Sequence, residues 1–345
     1  MRRSKLFALA WLATATHAQA QEPSDRTTPL FADGTPIEIT LSGPIRNIVR
    51  AAERSTDAHP ATLASGGETH AIELSARGVS RRKRENCTFP PLRIAFSEKA
   101  GKESLFHKQG RLKLVTHCNE QGSSEQTLLR EYTAYRLYSA LTRESHKVRL
   151  ARMTYVDGDK PLTTRWGFLI EDTDDAARRV DLKEVDTGTV RRDALNPQAS
   201  ARLALFQFMI GNTDWESTMG PDPADCCHNT KLIGSAKDSQ TNLTPVPYDF
   251  DNSGLVDAAY AVPNAILKIP SVKTRVYRGF CRFNDQLGEE VERFRAARPA
   301  LEEEIRNIPG LEARSRSTME RYLASFFDVI GDPRAFDRDI VQGCR

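Results

Sequence analysis

The sequence predicts an α+β fold, strand-rich in its first half and helix-rich in its second. Short runs of alternating apolar and polar residues recur between Thr35 and Glu171, the period of half-buried strands. Segment 125–141 (EQTLLREYTAYRLYSAL) places apolar residues at 128, 129, 132, 135, 137, 138 and 141, which is helical spacing. Three more helical segments follow at 197–210, 284–307 and 317–330. Beyond α+β, this order alone does not choose a fold.

The elements run as follows. Arg2, Arg3 and Lys5 precede a mostly apolar stretch, Leu6 to Ala15, and Ala18-Gln19-Ala20 is an A-x-A cleavage site. Residues 1–20 are therefore expected to be a signal peptide, with 21–34 a flexible linker. Strands are expected at 35–40, 70–75, 92–96, 111–117, 149–156 and 166–171. Residues 50–68 are polar and contain glycine, and are expected to form a loop. Pro197 opens the helix 197–210, where its missing N–H costs nothing. Two short strands, 231–233 and 245–248, precede the last two helices. A first unit over 35–172 and a second over 173–345 are expected.

Composition narrows the function. Of 49 Lys+Arg, three fall in the leader, which leaves 46 against 46 Asp+Glu. A mature chain of zero net charge has no global attraction to nucleic acid or anionic membrane. No apolar run reaches the ~18 residues of a membrane span. The expected location is secreted or periplasmic, after cleavage near Ala20. All six cysteines lie after the leader, and an even count suits disulfides in an oxidising compartment. Cys87 is expected to join Cys118. Cys226 and Cys227 are adjacent, and one or both are expected to reach Cys281 and Cys344 rather than each other. Cys226-Cys227-His228 names three zinc ligands, but the C-x₂₋₄-C spacing of a zinc site is missing.

Residues 210–257 carry the chemistry. Asp214 stands in the string GNTDW, Asn229 follows in HNTKLI, and Asp249 with Asp251 stands in YDFDNSG. Phosphoryl transfer from ATP needs a carboxylate that orients or deprotonates the acceptor hydroxyl, and it needs oxygen ligands for the metal on the phosphates. Amide and carboxylate oxygens suit Mg²⁺ or Mn²⁺. The first half offers the complement, a strand lysine at Lys113 and a helix glutamate at Glu131 to hold it. Glu171 and Asp172 fall where a hinge would bind adenine through backbone groups.

These strings resemble the spore-coat protein H (CotH) family of secreted atypical kinases, over roughly residues 37–261. The stretch Arg77-Gly78-Val79-Ser80-Arg81-Arg82 before the strand LRIAF looks like the family's RGxS-x-R segment, and LLREYTAYRLYSALT looks like its following helix. GNTDW, HNTKLI and YDFDNSG look like its catalytic and metal loops. HipA-type kinases share a similar order of Asp, Asn and Asp. The resemblance implies a two-lobed protein-kinase-like fold, with Asp214 as catalytic base and Asn229 and Asp249 as metal ligands. Asp251 would be an extra ligand, and the basic Arg81 region a phosphate contact. No GxGxxG loop is present to cover the phosphates. The implied partners are a nucleotide and an acceptor of unspecified kind: protein, sugar or lipid headgroup.

A rival reading takes Asp249–Asp257 as a Ca²⁺ loop of a secreted binding module or a non-catalytic relative. Oxygen ligands stand at positions 1, 3, 5 and 9, with Gly254 at 6. Tyr260 at position 12, where a bidentate Glu belongs, and the prolines before Tyr248 argue against an EF-hand. G-x-S-x-G and H-E-x-x-H are absent, which leaves serine hydrolase and zincin chemistry without support.

Overall fold

The computed structural model describes residues 26–345; the expected signal peptide and residues 21–25 lie outside it. The chain is mixed α and β, with the strands gathered in the first half as the sequence predicts. Seven strands close a barrel: β1 (Ile37–Gly43), β2 (His59–Ser65), β3 (Glu68–Ala76), β4 (Leu92–Phe96), β5 (Arg111–Val115), β6 (Val148–Asp157) and β7 (Lys160–Ile170). The order around the ring is β1-β2-β3-β4-β5-β7-β6. The parallel pair β1–β6, with Ile39 opposite Met153, closes it. Closure removes the open edges that a sheet of this size would expose.

Period-2 alternation fills the barrel. Ile39 and Leu41, Ile72 and Leu74, Leu112 and Leu114, and Met153 and Tyr155 point inward and are buried together. Lys113 stands between Leu112 and Leu114 and so faces outward. That outer face of β5 and β7 contributes Val115, Phe168 and Ile170 to the second core, which is helical.

The helical core is built on four long helices. α3 (Gly122–Leu141) links β5 to β6, and a short α4 (Thr173–Arg178) follows β7. α5 (Pro197–Ile210) is buried at every residue from Ala199 to Ile210, so it runs through the centre of the layer. The side chain of Asn196 caps its start by accepting from the Ala199 N–H, and Gly211 ends it in the left-handed conformation at φ 65°. α6 (Leu287–Arg306) and α7 (Ala313–Gly331) complete the layer. Arg136 of α3 and Glu304 of α6 join at 2.9 Å. A small sheet sits beside them, in the order β10 (Thr244–Pro247), β9 (Thr230–Gly234), β8 (Lys183–Glu184). Among the described residues no helix is long and apolar enough to cross a membrane.

Three expectations are corrected. Residues 50–68 are not a loop: α2 (Ile45–Ala51) ends there and β2 begins at His59. Gly66 and Gly67, at φ 57° and 85°, make the two-residue turn into β3, a conformation glycine adopts without a Cβ penalty. The stretch before Thr35 is not a free linker in its described part. A helical turn, α1 (Pro29–Ala32), buries Leu30 and Phe31 in the barrel core, because this polar-looking segment carries two large apolar side chains. The cysteines pair as Cys87–Cys118, as expected, but also as Cys226–Cys227 and Cys281–Cys344. The adjacent cysteines therefore bond each other across a cis peptide and leave no thiolate for zinc.

Candidate functional site

The site forms where the loop after α5, the open end of the β9–β10 hairpin and the outer face of the barrel converge. Gly211 turns the chain out of α5 into Asn212, whose Oδ1 accepts from the Asp214 N–H at 2.9 Å. β9 and β10 pair Thr230 with Pro247. One step beyond, the Tyr248 N–H donates to the Asn229 carbonyl at 3.1 Å, so Asn229 and Asp249 flank the open end of the hairpin. Both residues adopt left-handed backbone, φ 51° and 61°. Such positions cost energy in residues other than glycine, though Asn and Asp tolerate them best.

Asn229 meets Asp214 directly. Its amide nitrogen donates to the Asp214 carbonyl at 2.7 Å and to Oδ2 at 3.2 Å. Both bonds use the nitrogen, so the amide oxygen takes no part in them. His228 Nε2 meets Asp214 Oδ1 at 2.7 Å. Burial pushes the Asp214 carboxyl up, but hydrogen bonds from His228, Asn252 and Asn229 outweigh it and hold the group below its ordinary value. The same bond to Asp214 raises the His228 imidazole, against burial. Asp214 and His228 remain 36% and 38% exposed at their side chains, so both are reachable.

Arg81 organises the other side. It is the buried middle residue of a short 3₁₀ turn, Ser80–Arg82. Its guanidinium donates to Glu131 of α3 through Nη1 at 2.9 Å and Nη2 at 3.2 Å. Nη2 also meets Asp249 Oδ1 at 3.1 Å, and Nε lies 3.2 Å from Asp251 Oδ2. One fork of five N–H donors thus serves three carboxylates. Burial, opposed by Arg81, pushes the Asp251 carboxyl up to about 7. The Tyr260 hydroxyl donates to the same Asp251 Oδ2 at 3.0 Å. The hydroxyl of Tyr135, on α3, accepts from the Asp249 N–H at 2.9 Å.

Two expected roles change. Glu131 is held by Arg81, not by Lys113. Lys113 lies 5.3 Å over the Tyr248 ring instead, and burial with the nearby Arg77 lowers its pKa. Glu171 does not act as an open hinge. Its N–H donates to the Lys147 carbonyl at 2.9 Å, its carbonyl faces His146 Nδ1, and its carboxylate is buried against Arg179. Its N–H is therefore committed within the fold, and its carbonyl already has one partner.

Sequence reasoning did not single out Arg77, His228 or Tyr260 for these positions. Arg77 is desolvated and lies in the field of Asp249, Arg81 and Glu131. Among the described residues, neither Arg77 nor Lys113 closes an ion pair. Two partly buried cations without a bonded carboxylate, beside Asp249, make an anion-attracting wall. Spacing held a signal for Arg77, four residues before Arg81 on the same loop.

A divalent cation fits the open end of the hairpin by donor chemistry. Asp249 keeps a side chain 41% exposed, and Asn229 keeps its amide oxygen. Mg²⁺ is commonly held by one or two carboxylates with phosphate and water completing the shell. The Ca²⁺ loop fits poorly. Asp251 is occupied by Arg81 and Tyr260, Ser253 Oγ accepts from Val256, and Asp257 pairs with Lys273 at 2.7 Å. Among the described residues, the acidic oxygens that converge within 4.8 Å belong instead to Asp172, Asp174 and Glu184. Lys231 pairs with Glu184 there at 3.4 Å.

No protein-family model matches the chain, and no curated protein matches it.

Proposed function

We propose that the chain is an exported ATP-dependent phosphotransferase of a two-lobed, protein-kinase-like kind, as the likeness to CotH-type strings also suggests. One observation carries the proposal. Asn229 bonds Asp214 and stands across the hairpin end from Asp249, and Asp249 meets the Arg81–Glu131 pair, with Arg77 in its field and Lys113 over the neighbouring Tyr248 ring. Three disulfides accord with an oxidising compartment.

Each residue then has a task. Arg77 and Lys113 attract the phosphate oxygens. Asn229 and Asp249 would hold Mg²⁺ or Mn²⁺, with Asp251 beside them, and a cation bound there neutralises charge on the phosphates. Arg81 and Glu131 fix α3 against the metal loop. Asp214, kept ionised by its hydrogen bonds, orients the acceptor hydroxyl. As the hydroxyl oxygen bonds to the γ-phosphorus and the bond to ADP breaks, the hydroxyl proton passes to Asp214.

Thermal melting of residues 21–345 with ATP and Mg²⁺, with Mn²⁺, and with Ca²⁺ alone tests this. A ligand at 100 times its Kd adds about 2.7 kcal/mol. The expected shift needs nucleotide and metal together, disappears in Asp249→Ala and survives in Asp214→Ala, which abolishes transfer. Full transfer by both variants would sink the assignment.

A further inference from the structure

The segment after residue 270 has no part in the phosphotransfer scheme, yet it grips the Asp214 loop from behind. Arg278 Nη1 donates to the carbonyl of Thr213 at 2.6 Å and to that of Trp215 at 2.7 Å. These are the carbonyls on either side of Asp214. Asn264 adds a bond to the Thr213 carbonyl at 3.2 Å. Behind Arg278 stands Arg345. Arg345 pairs with Glu216 at 2.7 Å and donates from Nε to the Arg278 carbonyl at 2.8 Å. Its backbone is tied in both directions: its N–H donates to Gly279, and its carbonyl accepts from Cys281. The Cys281–Cys344 disulfide ties the stretch around Arg278 to the one around Arg345. Both guanidinium groups lie over the Trp215 ring, at 5.7 and 5.8 Å.

Charge-assisted bonds are shorter and stronger than neutral ones. A single cation bonded to the Thr213 and Trp215 carbonyls fixes the peptide plane that leads into Asp214 and the plane that follows Trp215, so it brackets the backbone that aims the Asp214 side chain. Catalytic geometry is sensitive to displacements of this scale, and groups that lock it commonly lie outside the reacting set. We propose that Arg278 is a positioning residue for Asp214, and that the disulfide-closed C-terminal segment holds it in place through Arg345. The proposal rests on the role given to Asp214 above.

The test uses the mature chain with its disulfides intact, and follows ADP release from ATP–Mg²⁺ with hydrogen exchange in residues 213–216. Arg278→Met is expected to lower kcat about 100-fold, to leave KM for ATP unchanged, and to speed exchange in the loop. Arg278→Lys, which keeps a cationic donor, recovers most of the rate. A wild-type kcat in Arg278→Met, a loss carried by KM, or no rescue by lysine overturns the proposal. If the wild-type protein does not bind or turn over ATP, the phosphotransferase assignment fails on its own. Exchange then still decides the clamp, which is overturned if the loop exchanges at the wild-type rate in Arg278→Met. Should that variant not fold, Arg345→Met loosens the same clamp from its outer side and is judged by the same readouts.

Discussion

Arg81 and Glu131 form a buried two-bond pair, at 2.9 and 3.2 Å, and the same guanidinium reaches Asp249 and Asp251. The pair joins the loop after β3 to α3, and through the aspartates joins both to the hairpin end. Its removal is expected to be felt across all three. Arg81→Met would leave Glu131 buried without its cation, a loss of about 3–5 kcal/mol. Arg81→Lys should recover little, since an ammonium cannot fork across three carboxylates. Urea unfolding midpoints check this; a loss under about 1 kcal/mol would mean that the pair behaves as a surface pair does.

Lys113 and Arg77 should behave in the opposite way. Both are pulled out of water, and burial lowers the pKa of each. A desolvated cation without a bonded carboxylate is unfavourable for the fold. Lys113→Met and Arg77→Met are therefore expected to leave the ligand-free melting point unchanged or higher. Each should remove most of the shift that ATP–Mg²⁺ produces. Stability tolerated at a cost is a mark of function. A variant that melts lower and still shifts fully with nucleotide would assign that cation to the fold alone.

The contrast between Arg81 and Lys113 shows where sequence becomes illegible. Both are cations ahead of a helix glutamate, and spacing alone favours the lysine on a strand. The decision is made by the 3₁₀ turn at Ser80–Arg82, which swings Arg81 inward, and no periodicity reports such a turn. α5 was legible to the residue, because Asn196, Pro197 and Gly211 mark its ends chemically. β2 was not, because Leu63 is its one fully buried side chain and the strand reads as polar. The order Asp214, Asn229, Asp249 was visible in the strings, but their meeting depends on the hairpin register. The bond between Cys226 and Cys227 ran against the usual expectation for neighbours, and nothing in the spacing announced it.

His146 makes a pH prediction. It is buried between α3 and β6, and burial, with Lys113 and Arg179 nearby, depresses its imidazole to about 3. Its Nδ1 meets the Glu171 carbonyl at 3.1 Å. In the unfolded chain the group takes its proton near the ordinary 6.5. The folded state thus holds fewer protons between the two values, and the unfolded state gains on acidification. The stability His146 contributes is complete above pH 6.5 and is lost as pH falls toward about 3. In His146→Gln, the acid limb of a plot of urea midpoint against pH should be flatter than in the wild type. Parallel limbs would show that His146 is protonated in the folded state as readily as outside it.

Gly211 gives the last prediction, because it joins the end of α5 to the site. It sits at φ 65°, and a Cβ added there would collide with the Tyr322 hydroxyl of α7. Gly254, four residues past Phe250, faces the same hydroxyl. Tyr322 is pinned by its bond to the Lys273 carbonyl at 3.0 Å and by Arg275 stacked 3.8 Å from its ring. It cannot yield freely, so Gly211→Ala combines a left-handed alanine, about 1–2 kcal/mol, with a steric clash. The chain next carries Asn212, which orients Asp214, so the strain should reach activity as well as stability. Tyr322→Phe removes the colliding oxygen and leaves the ring. In the double variant, the steric part of the Gly211→Ala loss should be relieved and the backbone part should remain. A double-mutant cycle on urea midpoints separates them. Strict additivity would place the whole penalty in the backbone and leave Tyr322 without a role in shaping the loop.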